Sequence, residues 1–280
     1  MSLLPLSPKK PLGEYIGVYL SRAIDPEIRR QRVGSGGAIT AFLCYLIDKN
    51  IIDGAVTVRR VRGLEGEVVV ATTKKEVLEA AGDKWSIIPF TARLRDTIEE
   101  KGLKRIAVVG LPCQIQFLGQ MRMFPLLESD FSERISLLIS LFCLGTFANE
   151  VMLSYLRSKY GIKPSDITDI RLEGENLSIY HECGKISIPA REIVYHLQTG
   201  CLVCTDYTGV LSDISAGISE NYLGYTVLIA RNNRALELLN NARDEKYIEL
   251  KEAPPSVIEE ISLKARGKME RATYYATRLL

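Results

Sequence analysis

Arg105-Ile-Ala-Val-Val-Gly110, followed by Leu111-Pro-Cys113, is the stretch that decides the fold. A short uninterrupted apolar run is typical of a strand buried on both faces of a sheet, and a proline after it suits the first turn of a helix. The apolar run over 135–142 repeats the pattern and ends at Cys143. Strand, helix and strand predict a parallel β-α-β unit. Ligands bind at the carboxyl ends of parallel strands, so Cys113 and Cys143 should share one edge of the sheet.

Working outward, the pattern predicts an α/β fold. It has a mixed sheet with a parallel β-α-β core flanked by helices, a small β-rich insertion and a C-terminal helix. We predict a flexible arm over 1–13, an α/β domain over 14–250 with a β-hairpin region near 165–190, and a helical segment over 251–280. Residues 213–217 are predicted to form a turn. The last helix has an apolar stripe that should pack on the body of the protein or on a partner: Ile258, Ile261, Ala265, Met269 and Ala272.

Composition excludes several classes of protein. The 280 residues are 46% hydrophobic and 25% charged, with a net charge of only +2, which is ordinary for a globular protein. The basic residues are scattered, and a nucleic-acid binder usually concentrates them on one face. The first eleven residues have neither a signal-peptide core nor a membrane span, and the apolar run over 135–144 is too short to cross a bilayer. We therefore expect a cytoplasmic protein with no membrane span and no nucleic acid.

Four of the six cysteines form the main chemical signature of the chain. Cys201-Leu-Val-Cys204 supplies two thiolates to one centre, and Cys113 and Cys143 could complete a four-thiolate site. Four thiolates suit a 4Fe-4S cluster, with zinc as the alternative. Structural zinc usually takes two local pairs, whereas only one pair is local here, which favours a cluster. A thioredoxin-like dithiol would use the local pair and leave the other two cysteines unexplained.

The remaining cysteines and both histidines carry no metal-ligand pattern. Cys44 lies beside the apolar face of a helix and is expected to be an ordinary buried cysteine. Cys183 falls at a hairpin turn beside His181 and is expected to face solvent. His196 has no partner at ligand spacing, so neither histidine is assigned a role.

A glycine cluster, Gly34-Ser35-Gly36-Gly37, opens an amphipathic helix. Glycines at a helix start leave backbone N–H groups open to an anion such as a pyrophosphate. The cluster matches neither Gly-x-Gly-x-x-Gly nor a P-loop, so its spacing alone favours an ordinary turn before a helix over an anion site.

Seven segments of the chain resemble the beta subunits of coenzyme F420-reducing hydrogenase and F420-dependent dehydrogenases. They occur in the family's order and span most of residues 15–235. The segments are Gly36-Gly37-Ala-Ile-Thr40, Ile51-Ile-Asp-Gly-Ala55, Ala80-Ala-Gly-Asp-Lys84-Trp85, Val108-Val-Gly-Leu-Pro-Cys113-Gln, Phe142-Cys143, Gly200-Cys201-x-x-Cys204-x-Asp206-Tyr207 and Asp213-Ile-Ser-Ala-Gly217.

The resemblance implies an electron-transfer oxidoreductase subunit with FAD and one 4Fe-4S cluster. A hydride would pass between coenzyme F420 and FAD, and single electrons would pass through the cluster to a partner subunit of a hydrogenase, dehydrogenase or disulfide-reductase-like complex. It makes Cys113, Cys143, Cys201 and Cys204 the cluster ligands. It makes Ser35, Gly36, Gly37, Thr40, Lys84, Ser215 and Gly217 candidate flavin-site residues, with Lys84 also a candidate for stabilising the reduced flavin.

Two other functions stay open from the sequence. Around the flavin segments this chain departs from the family, as in Trp85 where the family usually has Tyr, so the same relay could use NAD(P)H or ferredoxin. The four cysteines could also hold zinc in a scaffold subunit without catalysis.

Overall fold

The computed structural model describes residues 10–30, 35–62, 65–82, 88, 91–124, 129–173 and 176–279. Its strands are β1 Gly17–Ala23, β2 Gly54–Arg62, β3 Glu65–Ala71, β4 Ile106–Gly110, β5 Ile135–Leu141, β6 Ile167–Glu173, β7 Asn176–His181, β8 Gly184–Pro189, β9 Ile214–Ile218, β10 Thr226–Ala230 and β11 Ile248–Glu252. Its helices are α1 Pro26–Arg30, α2 Ala38–Asp48, α3 Lys74–Glu79, α4 Thr91–Glu100, α5 Pro112–Met123, α6 Ser129–Arg134, α7 Asn149–Tyr160, α8 Ala190–Ile193, α9 Thr199–Leu202, α10 Asn233–Asp244 and α11 Pro255–Leu279.

An eight-stranded mixed sheet forms the body, in the order β11-β1-β10-β9-β5-β4-β2-β3. β4 pairs in parallel with β2 and with β5, and β5 pairs in parallel with β9. The pairs β2–β3, β9–β10, β10–β1 and β1–β11 are antiparallel. The predicted parallel β-α-β unit, β4-α5-β5, is confirmed, and so is the α/β fold class.

The apolar stretch over 106–110 is buried along its whole length because helices cover both faces of the sheet. Ala107 and Val109 face the core under α2 and α10, whereas Ile106 and Val108 face the core under α4 and α5. Each fully buried valine or isoleucine side chain contributes about 1.5–3 kcal/mol. This two-sided burial explains why the strand lacks the alternation of a half-exposed strand.

A second, three-stranded antiparallel sheet, β6-β7-β8, forms the small β-rich unit that the sequence placed near 165–190. The hairpin of β7 and β8 turns at Gly184 as expected, and β6 adds a strand that the sequence pattern did not reveal. The sheet packs with α7 around its own apolar cluster, which includes Met152, Leu156 and Ile179. The exact domain boundaries proposed from the sequence stay a prediction, and most of the arm predicted over 1–13 lies outside the described residues.

The C-terminal helix α11 packs on the body, one of the two alternatives that the sequence left open. Val257, Ile261 and Ala265 lie against Val227 and Ile229 of β10 in one buried cluster. Met269 and Ala272, further along the same stripe, are also buried. The segment assigned as helical from 251 begins instead with the end of β11, and the helix starts at Pro255.

One assignment from the sequence is wrong. Residues 213–217, predicted as a turn, are mostly strand β9, which lies in the middle of the large sheet between β5 and β10. The small residues Ser215, Ala216 and Gly217 hid the strand because they lack the β-branched and aromatic side chains that usually reveal one. Across the described part of the chain, no helix combines the length and the apolar character needed to traverse a bilayer.

Candidate metal centre

Cys113 follows β4 directly and sits in the first turn of α5. Pro112 opens the helix, and the Leu111 N–H donates to the Gln114 side chain at 2.9 Å. Burial raises the pKa of the Cys113 thiol, and the backbone N–H groups of Gln114 and Cys113 oppose this effect by favouring the ionised form. Cys113 is the exposed member of the cysteine set. A helix start that aims N–H groups at a thiol favours a thiolate ligand at this position.

Cys143 follows β5 at the same edge of the sheet, as the parallel pairing of β4 and β5 predicts. The Phe142 N–H donates to the Ala216 carbonyl at 2.7 Å, and the Cys143 N–H donates to the Tyr207 carbonyl at 2.9 Å. The Gly145 N–H favours the ionised form of the thiol. These bonds fix the backbone on both sides of Cys143, so its sulfur position is set by the sheet.

Cys201 lies in the short helix α9, and Cys204 lies just beyond it. The Gln198 N–H donates to the Thr146 carbonyl at 2.9 Å, which ties this segment to the Cys143 loop. The Thr146 hydroxyl is 3.6 Å from the Cys201 sulfur, and the Cys204 thiol donates to the Asp206 carbonyl at 3.7 Å. The Cys-x-x-Cys pair therefore faces the end of β5, although it is about sixty residues away in the sequence.

The four thiols share one electrostatic environment. Burial raises the pKa of the Cys113 thiol, and the charges of Cys204 and Cys201 raise it further. Burial also raises the pKa of the Cys143 thiol to about 11, against the opposing charge of Lys268. Such mutual effects require proximity. Among the described residues, no three or more Cys, His, Asp or Glu side chains converge closely enough to hold one metal ion.

Two cations from α11 reach into this site, and neither was predicted from the sequence pattern. Lys268, only 3% exposed, donates from Nζ to the carbonyls of Cys143 and Asp206 at 2.7 Å each. Arg271 donates from Nη2 to the carbonyls of Leu144 and Cys201, at 2.5 and 3.2 Å. The available signal was a lysine inside the apolar stripe of the last helix, one position before Met269.

The loop after Cys204 crosses the sheet face beside β5. Asp206 accepts from the Gly209 and Val210 N–H groups at 2.7 and 3.1 Å, which folds the loop into a tight turn. Gly209 has a φ of +78°, and a β-carbon there would overlap the buried Ser140 side chain. Only glycine meets both requirements, so this position sets how closely the cysteine loop approaches β5.

Gly209→Ala is expected to destabilise the folded chain by about 2–5 kcal/mol. The left-handed backbone costs an L-residue roughly 1–2 kcal/mol, and overpacking adds about 1–3 kcal/mol. Urea-induced unfolding of the two chains, purified under the same conditions, measures the difference. The matched control is Gly200→Ala, in the same segment. No atom lies within 4 Å of a β-carbon at position 200, so the control should match the parent or exceed it slightly. Equal stability of the two variants would contradict the role of Gly209.

The glycine cluster lies at the same sheet edge as the cysteines. The Ser35 carbonyl accepts from the Thr226 hydroxyl at the start of β10, and the Gly36 carbonyl accepts from the Ala23 N–H at the end of β1. Gly36 and Gly37 have φ values of +67° and +70°, and a β-carbon on Gly36 would overlap the Gly224 carbonyl. Gly36 is therefore required by the packing of the turn, whether or not a ligand binds there.

Helix α2 begins directly after these glycines, and no side chain at Gly37 caps its first N–H groups. Thr40 stands in its first turn. Ser215 and Gly217 are on β9, one strand over from β10. The Ser215 hydroxyl is buried against Ser212 and Arg231, at 3.0 and 2.9 Å. A β-carbon at Gly217 would overlap the Phe142 ring. Both residues thus pack the strand that leads to Cys143, and their flavin role stays a prediction.

Of the other residues assigned from the sequence, two are placed as expected and one lies outside the described residues. Lys84 lies outside the described residues, so its role stays a prediction. Cys44 is fully buried, as expected, and burial raises its pKa to about 11. Cys183 is exposed at the β7–β8 turn, also as expected. The His196 ring packs at a tilt against the Tyr155 ring, with ring centroids 4.1 Å apart, and burial lowers the pKa of His196.

The fold and site define a class of α/β protein in which two cysteines follow neighbouring parallel strands at the carboxyl edge of a mixed sheet, and a Cys-x-x-Cys segment is hydrogen-bonded to the loop of the second cysteine. Two family profiles match this chain, and both describe the coenzyme F420 hydrogenase/dehydrogenase beta subunit. The profile of its N-terminal part matches residues 18–95, and the profile of its C-terminal part matches residues 103–256. The chain belongs to the coenzyme F420 hydrogenase/dehydrogenase beta-subunit family, which confirms the resemblance seen in the sequence.

Individual relatives agree with this assignment. The chain is 28% identical to the beta subunit of the coenzyme F420 hydrogenase of Methanococcus voltae, over 93% of this chain and 95% of that protein. It is 30% identical to one subunit of the F420H2 dehydrogenase of Methanosarcina mazei, over 84% of this chain and 67% of that protein. A protein from the F420-reducing NiFe hydrogenase complex of Methanosarcina barkeri has the same fold. Its TM-score is 0.89 at 23% identity, with 98% of this chain and 95% of that protein covered.

Proposed function

We propose that this chain is the electron-transfer subunit of a coenzyme F420-dependent oxidoreductase and that it binds FAD and one 4Fe-4S cluster. The single observation that carries the proposal is that Cys113 and Cys143 follow adjacent parallel strands at one sheet edge, where the segment of Cys201 and Cys204 is hydrogen-bonded to the Cys143 loop. The family membership and the names of the relatives support the F420 part. The cofactors rest on the residues of the site and on the resemblance.

The donor set fits an iron–sulfur cluster. Four thiols are the usual ligands of a 4Fe-4S cluster, and each thiolate binds a different iron, so the sulfurs surround a body larger than one ion. Backbone N–H groups of Gln114 and Gly145 favour the ionised forms of the Cys113 and Cys143 thiols. The Arg271 Nε is buried with no hydrogen-bond partner among the described residues, and a cluster sulfur would accept from it. Hydrogen bonds to sulfur are a common feature of protein-bound clusters.

The flavin is proposed to bind at the same edge, with its pyrophosphate at the N-terminus of α2. Uncapped helix amides attract such a group. Ser35 and Gly36 are anchored to the ends of β10 and β1, and Cys143 follows β5. β10 and β5 are separated only by β9, and strands are spaced about 4.8 Å apart, so the two ends lie roughly 10 Å apart across the sheet.

When bound, FAD would take a hydride from reduced F420, and its two electrons would leave one at a time through the cluster to a partner subunit as the proton is released. The residues of this chain would position the four cysteine ligands. The sheet fixes Cys113 and Cys143, and the loop at Gly209 sets the approach of Cys201 and Cys204. Helix α11 covers the site with Lys268 and Arg271. The exposed Cys113 gives the centre a surface through which a partner can be reached.

Two further elements belong to the proposal. The partner would be the electron-accepting or electron-donating subunit of a hydrogenase, dehydrogenase or disulfide-reductase-like complex, as the complexes named for the relatives suggest. We propose a cytoplasmic location. The competing functions are the same relay with NAD(P)H or ferredoxin as donor, and a zinc-stabilised scaffold.

Anaerobic purification and titration test the proposal. We expect about four irons with sulfide, and one flavin, per chain, as the cofactors require. Reduced F420 should bleach the flavin absorbance, whereas NADPH and NADH should leave it unchanged. Bleaching by NADPH alone would show that the hydride donor is NADPH and not reduced F420. A colourless chain with zinc and no flavin after reconstitution would overturn it in favour of the scaffold.

A further inference from the structure

Helix α11 carries two lysines with opposite surroundings. Lys264 is bound to the carboxylates of Glu220 and Glu260, at 2.8 and 3.0 Å. Lys268, one turn further on, is more buried, at 3% exposure, and its acceptors in the described structure are the neutral carbonyls of Cys143 and Asp206. A buried ammonium held by neutral groups alone is costly, so Lys268 needs a negative charge nearby.

Arg271, three residues further along the same helix, also has no carboxylate partner in the described part of the chain. Its Nη2 bonds to the Leu144 and Cys201 carbonyls, and its Nε has no hydrogen-bond acceptor in the part of the chain that the structure describes. The bond from Arg271 to the Cys201 carbonyl and the bond from Lys268 to the Cys143 carbonyl place both cations beside the loops that carry the thiols. The thiol site is therefore the source of negative charge that both cations face.

We propose that Lys268 and Arg271 are positioning and charge-balancing residues of the iron–sulfur centre. Lys268 holds the loops of Cys143 and Cys204 together through its two hydrogen bonds. Arg271 donates its Nε–H to a sulfur of the centre. This inference rests on the proposed function. Four thiolates around the cluster leave the site negative, and reduction adds one electron. Nearby positive charge and N–H···S bonds stabilise the reduced state, so they raise the reduction potential.

The test is an EPR-monitored redox titration of the purified chain with its cluster. Arg271→Gln removes the charge and the Nε donor, and we expect the equilibrium constant for one-electron reduction to fall about tenfold, which is about 59 mV towards negative potential. Arg271→Lys keeps the charge and should recover part of the shift. Lys268→Gln should shift the potential in the same direction. The matched control is Arg266→Gln, an exposed cation on the same helix, which should leave the potential unchanged.

The outcomes separate this inference from the proposed function. A parent chain without iron and sulfide overturns both. A parent with its cluster, and an Arg271→Gln variant that has both its cluster and the parent's potential, overturns the inference alone. Lys268→Gln and Arg271→Gln are also compared by urea-induced unfolding in the absence of the cluster. Equal losses of stability with no change of potential would make the two residues merely structural, and this result also contradicts the inference.

Discussion

Cys143→Ser is expected to lower the iron and sulfide bound by the chain by at least about tenfold, since even lost outer-shell contacts of a metal site cost 10–100-fold. Cys143 cannot be replaced by a neighbouring group because the sheet and the Tyr207 carbonyl fix its backbone. A serine hydroxyl there would offer a poor ligand to iron. The measurement is an iron and sulfide assay, with the visible absorbance spectrum, on anaerobically reconstituted protein.

Cys183→Ser is the matched control, because it makes the same chemical change at the exposed turn of the small sheet. It should bind as much iron as the parent. Full iron and sulfide in the Cys143→Ser variant would remove Cys143 from the ligand set. If the parent chain binds zinc instead of iron and Cys143→Ser loses that zinc, Cys143 is a metal ligand but the centre is not an iron–sulfur cluster.

The parts of the site that follow from strand burial could be predicted from the sequence. The apolar runs before Cys113 and Cys143 are long enough, and apolar enough, to reveal two parallel strands. Parallel strands end at the same edge, so the relation between these two cysteines followed directly. The local spacing of Cys201 and Cys204 predicted that they act as a pair. Nothing local, however, says where that pair meets the sheet.

The missing parts depend on contacts between distant segments. Lys268 and Arg271 reach the cysteines across more than sixty residues of sequence, and their spacing on α11 is ordinary for a helix surface. The placement of Ser215 is similar, since a serine in a run of small residues gives no sign that it lies buried in a central strand. Long-range packing decided these positions, and a single sequence carries no record of such contacts.

Asp213 explains why that run of small residues becomes a strand. Its carboxylate is almost buried and accepts from Arg122 of α5 at 2.7 and 2.9 Å, from the Leu138 N–H at 2.8 Å and from Asn232 at 2.8 Å. One side chain thus joins α5, β5 and the start of α10 at the point where β9 begins. The turn predicted from the sequence at this point is replaced by a strand because this network holds it against β5.

Asp213→Ala is expected to destabilise the folded chain by about 3 kcal/mol, the lower end of the cost of breaking a buried ion pair from one side, because the Arg122 side chain is 32% exposed. The loss leaves the buried Leu138 N–H without its side-chain acceptor, and an unsatisfied buried group of this kind accounts for about 1–3 kcal/mol of the total. Asp213→Asn keeps one acceptor oxygen and should lose less. Urea-induced unfolding, with unfolding midpoints and slopes compared, measures both.

Asp244→Ala provides the control for this prediction. Asp244 pairs with Arg243 at 2.9 Å on the surface, with its side chain 64% exposed. Exposed pairs of this kind contribute little, so the substitution should change the stability by no more than about 0.5 kcal/mol. If Asp213→Ala unfolds at the same urea concentration as Asp244→Ala, the carboxylate is not what anchors β9. The close fit of Gly209 and Gly217 against β5 and Phe142 would then have to hold the strand.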